Sequence, residues 1–271
     1  TGQAVAVLSF RACGRCAECN RGQEQLCPHT AHLGHGAGWP GENPGGMAEY
    51  VPVWSENLYP LPETVSIEEA TFVDGLAVAV HAVERAAPQP GGTVVVLGGG
   101  PIGLMIAQVA RACGAAATVL TDVYEAPLAC ARELGLGPCL NTKGASESDL
   151  AAELARLTGG QATAVFDTTG DGIVQQAGLS VLAPGGVLNL LAGVGERLGV
   201  TTAALAGERT VTTSSNHRYR DFGAALALLA SGQVRVRAMI THRFALERAA
   251  EAFAVAQDKV ASGALKVLLV P

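Results

Sequence analysis

The run Val94-Val95-Val96-Leu97-Gly98-Gly99-Gly100-Pro101-Ile102-Gly103 constrains the fold of this chain more than any other stretch. Four consecutive apolar residues, three of them β-branched, read as a buried strand. Gly98, Gly100 and Gly103 then fill G-x-G-x-x-G, and the segment Ile102–Cys113 continues as an apolar helix. The first glycine permits a tight turn, the second lets the backbone approach a pyrophosphate, and the third lets the helix lie close to the strand. Pro101 falls in the first helical turn, where its missing N–H costs nothing. The free N–H groups of that turn attract phosphate.

With 34 glycines in 271 residues, a lone match of this kind carries little weight. Its context carries more. A second strand, Thr118–Thr121, ends in Asp122, nineteen residues after Gly103, where an acid hydrogen-bonds the adenosine ribose of a dinucleotide. Asp122 would repel a 2′-phosphate, Glu125 adds a second negative charge, and no Lys or Arg follows until Arg132, so the cofactor reads as NAD rather than NADP. The alternative is a glycine-rich turn of another nucleotide fold, such as a methyltransferase. Gly98, Gly100, Pro101, Ile102, Gly103 and Asp122 are the resulting cofactor-binding candidates.

From about residue 90 to 215 the pattern alternates. Strands at Val94–Leu97, Thr118–Thr121, Ala164–Asp167, Val187–Leu191 and Val211–Ser214 are separated by helices at Ile102–Cys113, Pro127–Leu134, Ala151–Leu157 and Val174–Leu182. Such alternation predicts an α/β fold with a doubly wound parallel sheet, and the scarcity of aromatics (4%) beside abundant Gly, Ala and Val suits its close packing. Thr168, just past the strand Ala164–Asp167, lies at the carboxyl edge where such sheets bind ligands. Before this region, residues 1–80 are rich in Cys, Gly and Pro and read as short strands, among them Ala4–Phe10 and Met47–Val53, with long loops. After it come a helix (Asp221–Ala230), a strand around Ile240, a helix (Leu246–Gln257) and a strand, Leu265–Val270. The expected division is 1–80, a dinucleotide-binding domain over 81–216, and a return segment, 217–271, packing on both.

Four of the seven cysteines crowd into C-x2-C-x2-C-x7-C: Cys13, Cys16, Cys19 and Cys27. Two-residue gaps let successive thiolates converge, and a longer loop returns the fourth, which describes a closed tetrahedral zinc site of structural type. An iron–sulfur cluster fits less well, because the bacterial run closes with C-x3-C-P rather than a gap of seven. Unliganded thiols suit this polar loop poorly. Cys113, Cys130 and Cys139 read as buried structural thiols. Net charge is −6 with no basic cluster, which argues against nucleic acid. No apolar run reaches the roughly 18–20 residues of a bilayer span, and no signal-peptide profile opens the chain, so the cytoplasm is the default location.

A four-cysteine lobe followed by a dinucleotide unit resembles the zinc-containing medium-chain alcohol and polyol dehydrogenases, over essentially the whole chain. Gly45-Gly46-Met47-Ala48-Glu49-Tyr50 resembles the family's GGxAEY segment, and Phe72-Val73-Asp74-Gly75-Leu76, with His81 after it, resembles the helix carrying a catalytic-zinc position. His217-Arg218-Tyr219 and Thr241-His242-Arg243-Phe244 look most like the sorbitol and threonine dehydrogenase branch. The resemblance implies a partial GroES-like domain beside the Rossmann domain, and NAD-dependent oxidation of a secondary alcohol, polyol or amino alcohol. It implies a second, catalytic zinc with Asp74 at its edge, a contact of Arg218 with substrate or cofactor, main-chain contacts of Ala192 and Gly193 with the nicotinamide amide, and a homo-oligomer, dimer or tetramer. The family's first catalytic cysteine and Gly-His-Glu segment have no counterpart here. The expectation is therefore a truncated chain, weakly active or inactive, with an incomplete first domain. An NAD-binding sensor or scaffold without catalysis is the alternative, and a zinc-free quinone reductase is disfavoured by the four-cysteine lobe.

Overall fold

The computed structural model describes residues 2–35, 38–39, 45–192 and 198–271. The chain divides into two compact units. One comprises Thr1–Val78, Ser215–Gly232 and Met239–Pro271, the other Ala79–Ser214 and Gln233–Ala238.

In the first unit the apolar run Ala4–Phe10 is not one strand. It forms β1 (Val5–Val7) and β2 (Phe10–Arg11), interrupted at Leu8 and Ser9. The buried Asn57 explains the break: its Nδ2 donates to the carbonyls of both Leu8 and Phe10, at 2.7 and 2.8 Å, and its main-chain carbonyl accepts from the Leu8 N–H at 2.9 Å. A side chain here supplies the donors that a continuous ladder would have supplied. The helical turn α1 (Ala17–Asn20) follows, then β3 (Ala31–His32), antiparallel to β2, and β4 (Leu58–Pro60), antiparallel to β1. The expected strand at Met47–Val53 is absent; these residues are bends and coil. Met47 and Tyr50 are 63% and 89% exposed, so no apolar face is buried, and Pro52 has no N–H to give a ladder. The short helix α2 (Ile67–Ala70) starts at a Ser66–Glu69 capping box and leads into α3 (Val73–Ala86), within which the boundary between the units falls.

Among the described residues, the second unit is built on a six-stranded, wholly parallel sheet. Along the chain it runs β5 (Thr93–Leu97), α4 (Pro101–Ala112), β6 (Ala117–Asp122), α5 (Glu125–Glu133), β7 (Cys139–Asn141), α6 (Glu147–Thr158), β8 (Ala162–Asp167), α7 (Gly172–Ser180), β9 (Leu182–Leu190) and β10 (Thr210–Thr213). The spatial order is β10-β9-β8-β5-β6-β7, which reverses direction between β5 and β8. That reversal opens a crevice at the carboxyl ends of the two strands. The central strands are buried on both faces, as helices on either side require; Val95, Leu97, Val165 and Leu188 share a core with Leu150 and Leu154 of α6. β9 begins earlier than its apolar run suggests. Leu182 pairs with Ala162, and the register then jumps to Val187 opposite Ala164, so Ala183-Pro184-Gly185-Gly186 forms a bulge. Cys130 is buried as expected, whereas Cys113, at the C-cap of α4, is exposed because the helix has already ended there.

The chain then returns to the first unit with α8 (Tyr219–Ala230) and β11 (Ile240–Ala245), followed by α9 (Ala249–Gln257), α10 (Lys259–Ser262) and β12 (Lys266–Val270), which pairs parallel with β11. The expected helix from Leu246 opens as a 3-10 turn, Leu246–Arg248, before becoming regular. No helix among the described residues is long and apolar enough to cross a membrane.

Candidate functional site

The four cysteines converge. Their Sγ atoms all lie within 4.8 Å of one another. Local structure brings them there: Cys16 is the N-cap of α1 and its sulfur accepts from the Cys19 N–H at 3.5 Å, while the Cys27 sulfur accepts from the Cys13 and His29 N–H groups at 3.4 Å each. The Arg15 backbone N–H holds the Cys13 thiol down at about 6. Cys16 behaves oppositely: although the Cys19 N–H favours its thiolate, desolvation and the three neighbouring sulfurs push it up to about 12. Four sulfurs this close cannot all carry charge without a cation among them. Zinc fits the donors, since bonds of about 2.3 Å place tetrahedral sulfurs about 3.8 Å apart. Among the described residues, this is the single group of three or more His, Cys, Asp or Glu side chains arranged to hold a metal.

In the second unit, each glycine of the loop after β5 has a distinct reason. Gly98 has φ +100°, and a Cβ there would come within 2.3 Å of the Thr168 hydroxyl. A Cβ on Gly103 would lie 1.9 Å from the Gly98 carbonyl oxygen, so the helix–loop approach excludes any side chain. Gly100, the N-cap of α4, meets nothing within 4 Å. That open side is where a pyrophosphate would lie against the N–H groups of α4, with Pro101 at its start and Ile102 next. Asp122 closes the cradle: Oδ2 accepts from the Gly99 N–H at 2.7 Å and Oδ1 from the Tyr124 N–H at 2.8 Å. A carboxylate has about four acceptor positions, so two remain for ribose hydroxyls. Thr168 sits across the crevice and donates its hydroxyl to the Leu97 carbonyl at 3.0 Å. Ala192 is partly buried just past β9. Gly193 lies outside the described residues.

Back in the first unit, Asp74 occupies the first turn of α3. Its Oδ1 accepts from the Ser9 hydroxyl at 2.8 Å and lies 3.4 Å from His217 Nε2. His217 is fully buried, with Phe10 edge-on at 5.2 Å and its Nδ1 3.1 Å from the Arg218 carbonyl. Burial works against the Asp74 charge, but the hydrogen bonds of His217 and Ser9 outweigh it and hold the carboxyl below its usual range. Oδ2 has no hydrogen-bond partner among the described residues, and the side chain is 47% exposed. Arg218 is buried and turned onto Asp221, with Nε 3.1 Å from Oδ2. Sequence reasoning had singled out Asp74, His217 and Arg218 separately. It had no signal for Ser9, or for the pairing of Asp74 with a histidine 143 positions away.

Comparison with known proteins places these arrangements in context. The zinc-binding dehydrogenase family model matches residues 101–231, and the alcohol dehydrogenase GroES-like domain model matches residues 1–63. The chain is 30% identical to sorbitol dehydrogenase of Bombyx mori over 271 residues, covering 99% of this chain and 75% of that protein. Against sorbitol dehydrogenase of Gallus gallus it is 34% identical over 210 residues, 77% of this chain and 59% of that protein. Among solved structures, a dehydrogenase of Escherichia coli CFT073, described as a short chain alcohol dehydrogenase and complexed with NADH, superposes with a TM-score of 0.88 at 25% identity, covering 100% of this chain and 77% of its own.

Proposed function

The chain belongs to the zinc-binding dehydrogenase family, and from that premise we propose that it serves NAD-dependent oxidation of a secondary alcohol, polyol or amino alcohol. The observation that carries this reading is the cradle of Gly98, Gly100, Gly103 and Asp122, with its open face at the start of α4. The Asp122 carboxylate supports NAD over NADP, because a 2′-phosphate placed at its free acceptor positions would be repelled. The polyol class follows from the sorbitol dehydrogenases among its relatives.

In this reading the Cys13, Cys16, Cys19 and Cys27 sulfurs hold a structural zinc, a closed set with no position left for substrate. Asp74 is assigned to a second, catalytic zinc: Ser9 and His217 fix Oδ1 and leave Oδ2 to ligate, as hydrogen-bonded carboxylate ligands do. Such an ion, when bound, supplies Lewis acidity that makes an alcohol proton easier to lose, and NAD supplies the hydride acceptor. Thr168 and Ala192 line the carboxyl ends of β8 and β9, and Gly193 is assigned a main-chain contact with the nicotinamide amide. Arg218, assigned to substrate or cofactor, acts from its ion pair with Asp221. For these 271 residues alone the expected turnover is weak or nil, since Asp74 is the one side chain assigned to the second ion and a lone carboxylate holds zinc poorly. A cytoplasmic location accords with seven cysteines of which none is in a disulfide. A homo-oligomer accords with the open edge of β10 among the described strands.

The test is zinc content together with NADH and NADPH titration, followed by a polyol panel. About one tightly held zinc and tenfold or greater preference for NADH would sustain the reading; a chain that binds neither nucleotide would end it.

A further inference from the structure

Asp167 has no part in the glycine cradle, yet its carboxylate is fully buried and saturated with donors. It is the last residue of β8. Oδ1 accepts from the Thr169 N–H at 2.9 Å and the Thr169 hydroxyl at 2.6 Å; Oδ2 accepts from the Gly170 N–H at 3.1 Å and from Gln175 Nε2 at 2.8 Å. The turn that this carboxylate folds is clamped on both sides. The Thr168 N–H and hydroxyl both reach the Leu97 carbonyl, at 2.9 and 3.0 Å, and the Leu191 N–H donates to the Asp167 carbonyl at 2.9 Å. Thr168 is half-buried against the Gly98 loop, and Thr169 is exposed at the crest.

Position in the sheet gives this turn a task. β8 and β6 flank β5, and the crevice opens between β5 and β8. A dinucleotide with its pyrophosphate at the start of α4 and its adenosine ribose at Asp122, beyond β6, has the β8 side left for its second nucleotide. We propose that Asp167 is the positioning residue for the nicotinamide half of the cofactor, acting through the Thr168–Gly170 turn without touching the cofactor itself. An acceptor-only group is required. In an asparagine, one carboxylate oxygen becomes an NH2 that faces the Gly170 N–H and the Gln175 amide, donor against donor. The proposal rests on the NAD reading given above.

The experiment titrates the 271-residue chain with NADH and, separately, with AMP, which occupies the adenosine side alone and reports that the unit is folded. Asp167→Asn is expected to weaken NADH about tenfold, the scale of one buried mismatched hydrogen bond, while AMP changes less than about twofold. Adding Gln175→Glu restores an acceptor opposite the new amide and recovers part of the NADH affinity. Thr169→Val, which keeps the side-chain shape, weakens NADH in the same direction and decides the matter if Asp167→Asn fails to bind AMP. Equal losses for AMP and NADH, or an undiminished NADH affinity, would overturn the proposal, since Asp167 would then only hold the sheet or do nothing for the cofactor. A wild-type chain that binds AMP but not NADH would instead overturn the cofactor reading, and the proposal with it.

Discussion

At the scale of single residues, the glycines of the cofactor loop are irreplaceable for unequal reasons. Gly103 faces backbone, so Gly103→Ala pushes its methyl into the Gly98 carbonyl, and neither side can yield without moving the loop. The expected outcome is a stability loss of about 1–3 kcal/mol with at least tenfold weaker NADH binding, measured by denaturant unfolding and fluorescence titration. Gly100 faces open space, so Gly100→Ala leaves the free fold intact and acts on nucleotide affinity alone. Unchanged unfolding with weaker NADH binding is the signature to look for. Asp122→Ser removes the charge that opposes a 2′-phosphate, and the NADH-to-NADPH affinity ratio should fall by about tenfold or more. A ratio that stays put would mean that selectivity lies elsewhere.

Among the elements, the β1–β2 break shows a side chain standing in for a ladder. Asn57→Ala strips the donors from two carbonyls in a buried setting, and the expected cost is about 2–4 kcal/mol in equilibrium unfolding. A cost below about 0.5 kcal/mol would mean that water replaces the amide. The break itself was not legible, because Ala4–Phe10 is apolar apart from Ser9, and a single serine within such a run does not mark where pairing stops. The central strands of the parallel sheet were legible, since burial on both faces demands apolar runs bounded by turns; the edge strand β7, three residues with no buried side chain, offers no such run. Met47–Val53 forms no strand for the complementary reason: an apolar run needs a partner surface as well as a composition, and Met47 and Tyr50 have none among the described residues.

For the molecule as a whole, the zinc lobe and the parallel sheet draw on different sources of stability. The lobe has few buried apolar side chains between Cys13 and Cys27, and its order is expected to depend on the metal. Chelation should abolish hydrogen-exchange protection in residues 13–27 while β5, β6 and β8 stay protected, and Cys16→Ser should lower bound zinc from about one per chain toward none. A lobe that stays protected after chelation would show that packing suffices. The sequence by itself determined the features whose chemistry is local. Two-residue cysteine gaps bring sulfurs together within one loop, and a strand–glycine–helix run dictates its own turn. The fold class follows from strands and helices alternating at short range. Only the tertiary structure decided what Asp74, Asn57 and Asp167 do. Asp74 meets Ser9 and His217 across 65 and 143 positions, and Asn57 reaches back 49 and 47. Asp167 and Gln175, eight positions apart, meet because the chain turns at Gly170. A hydrogen bond depends on where two atoms end up, and polar side chains carry no periodicity that announces their partners.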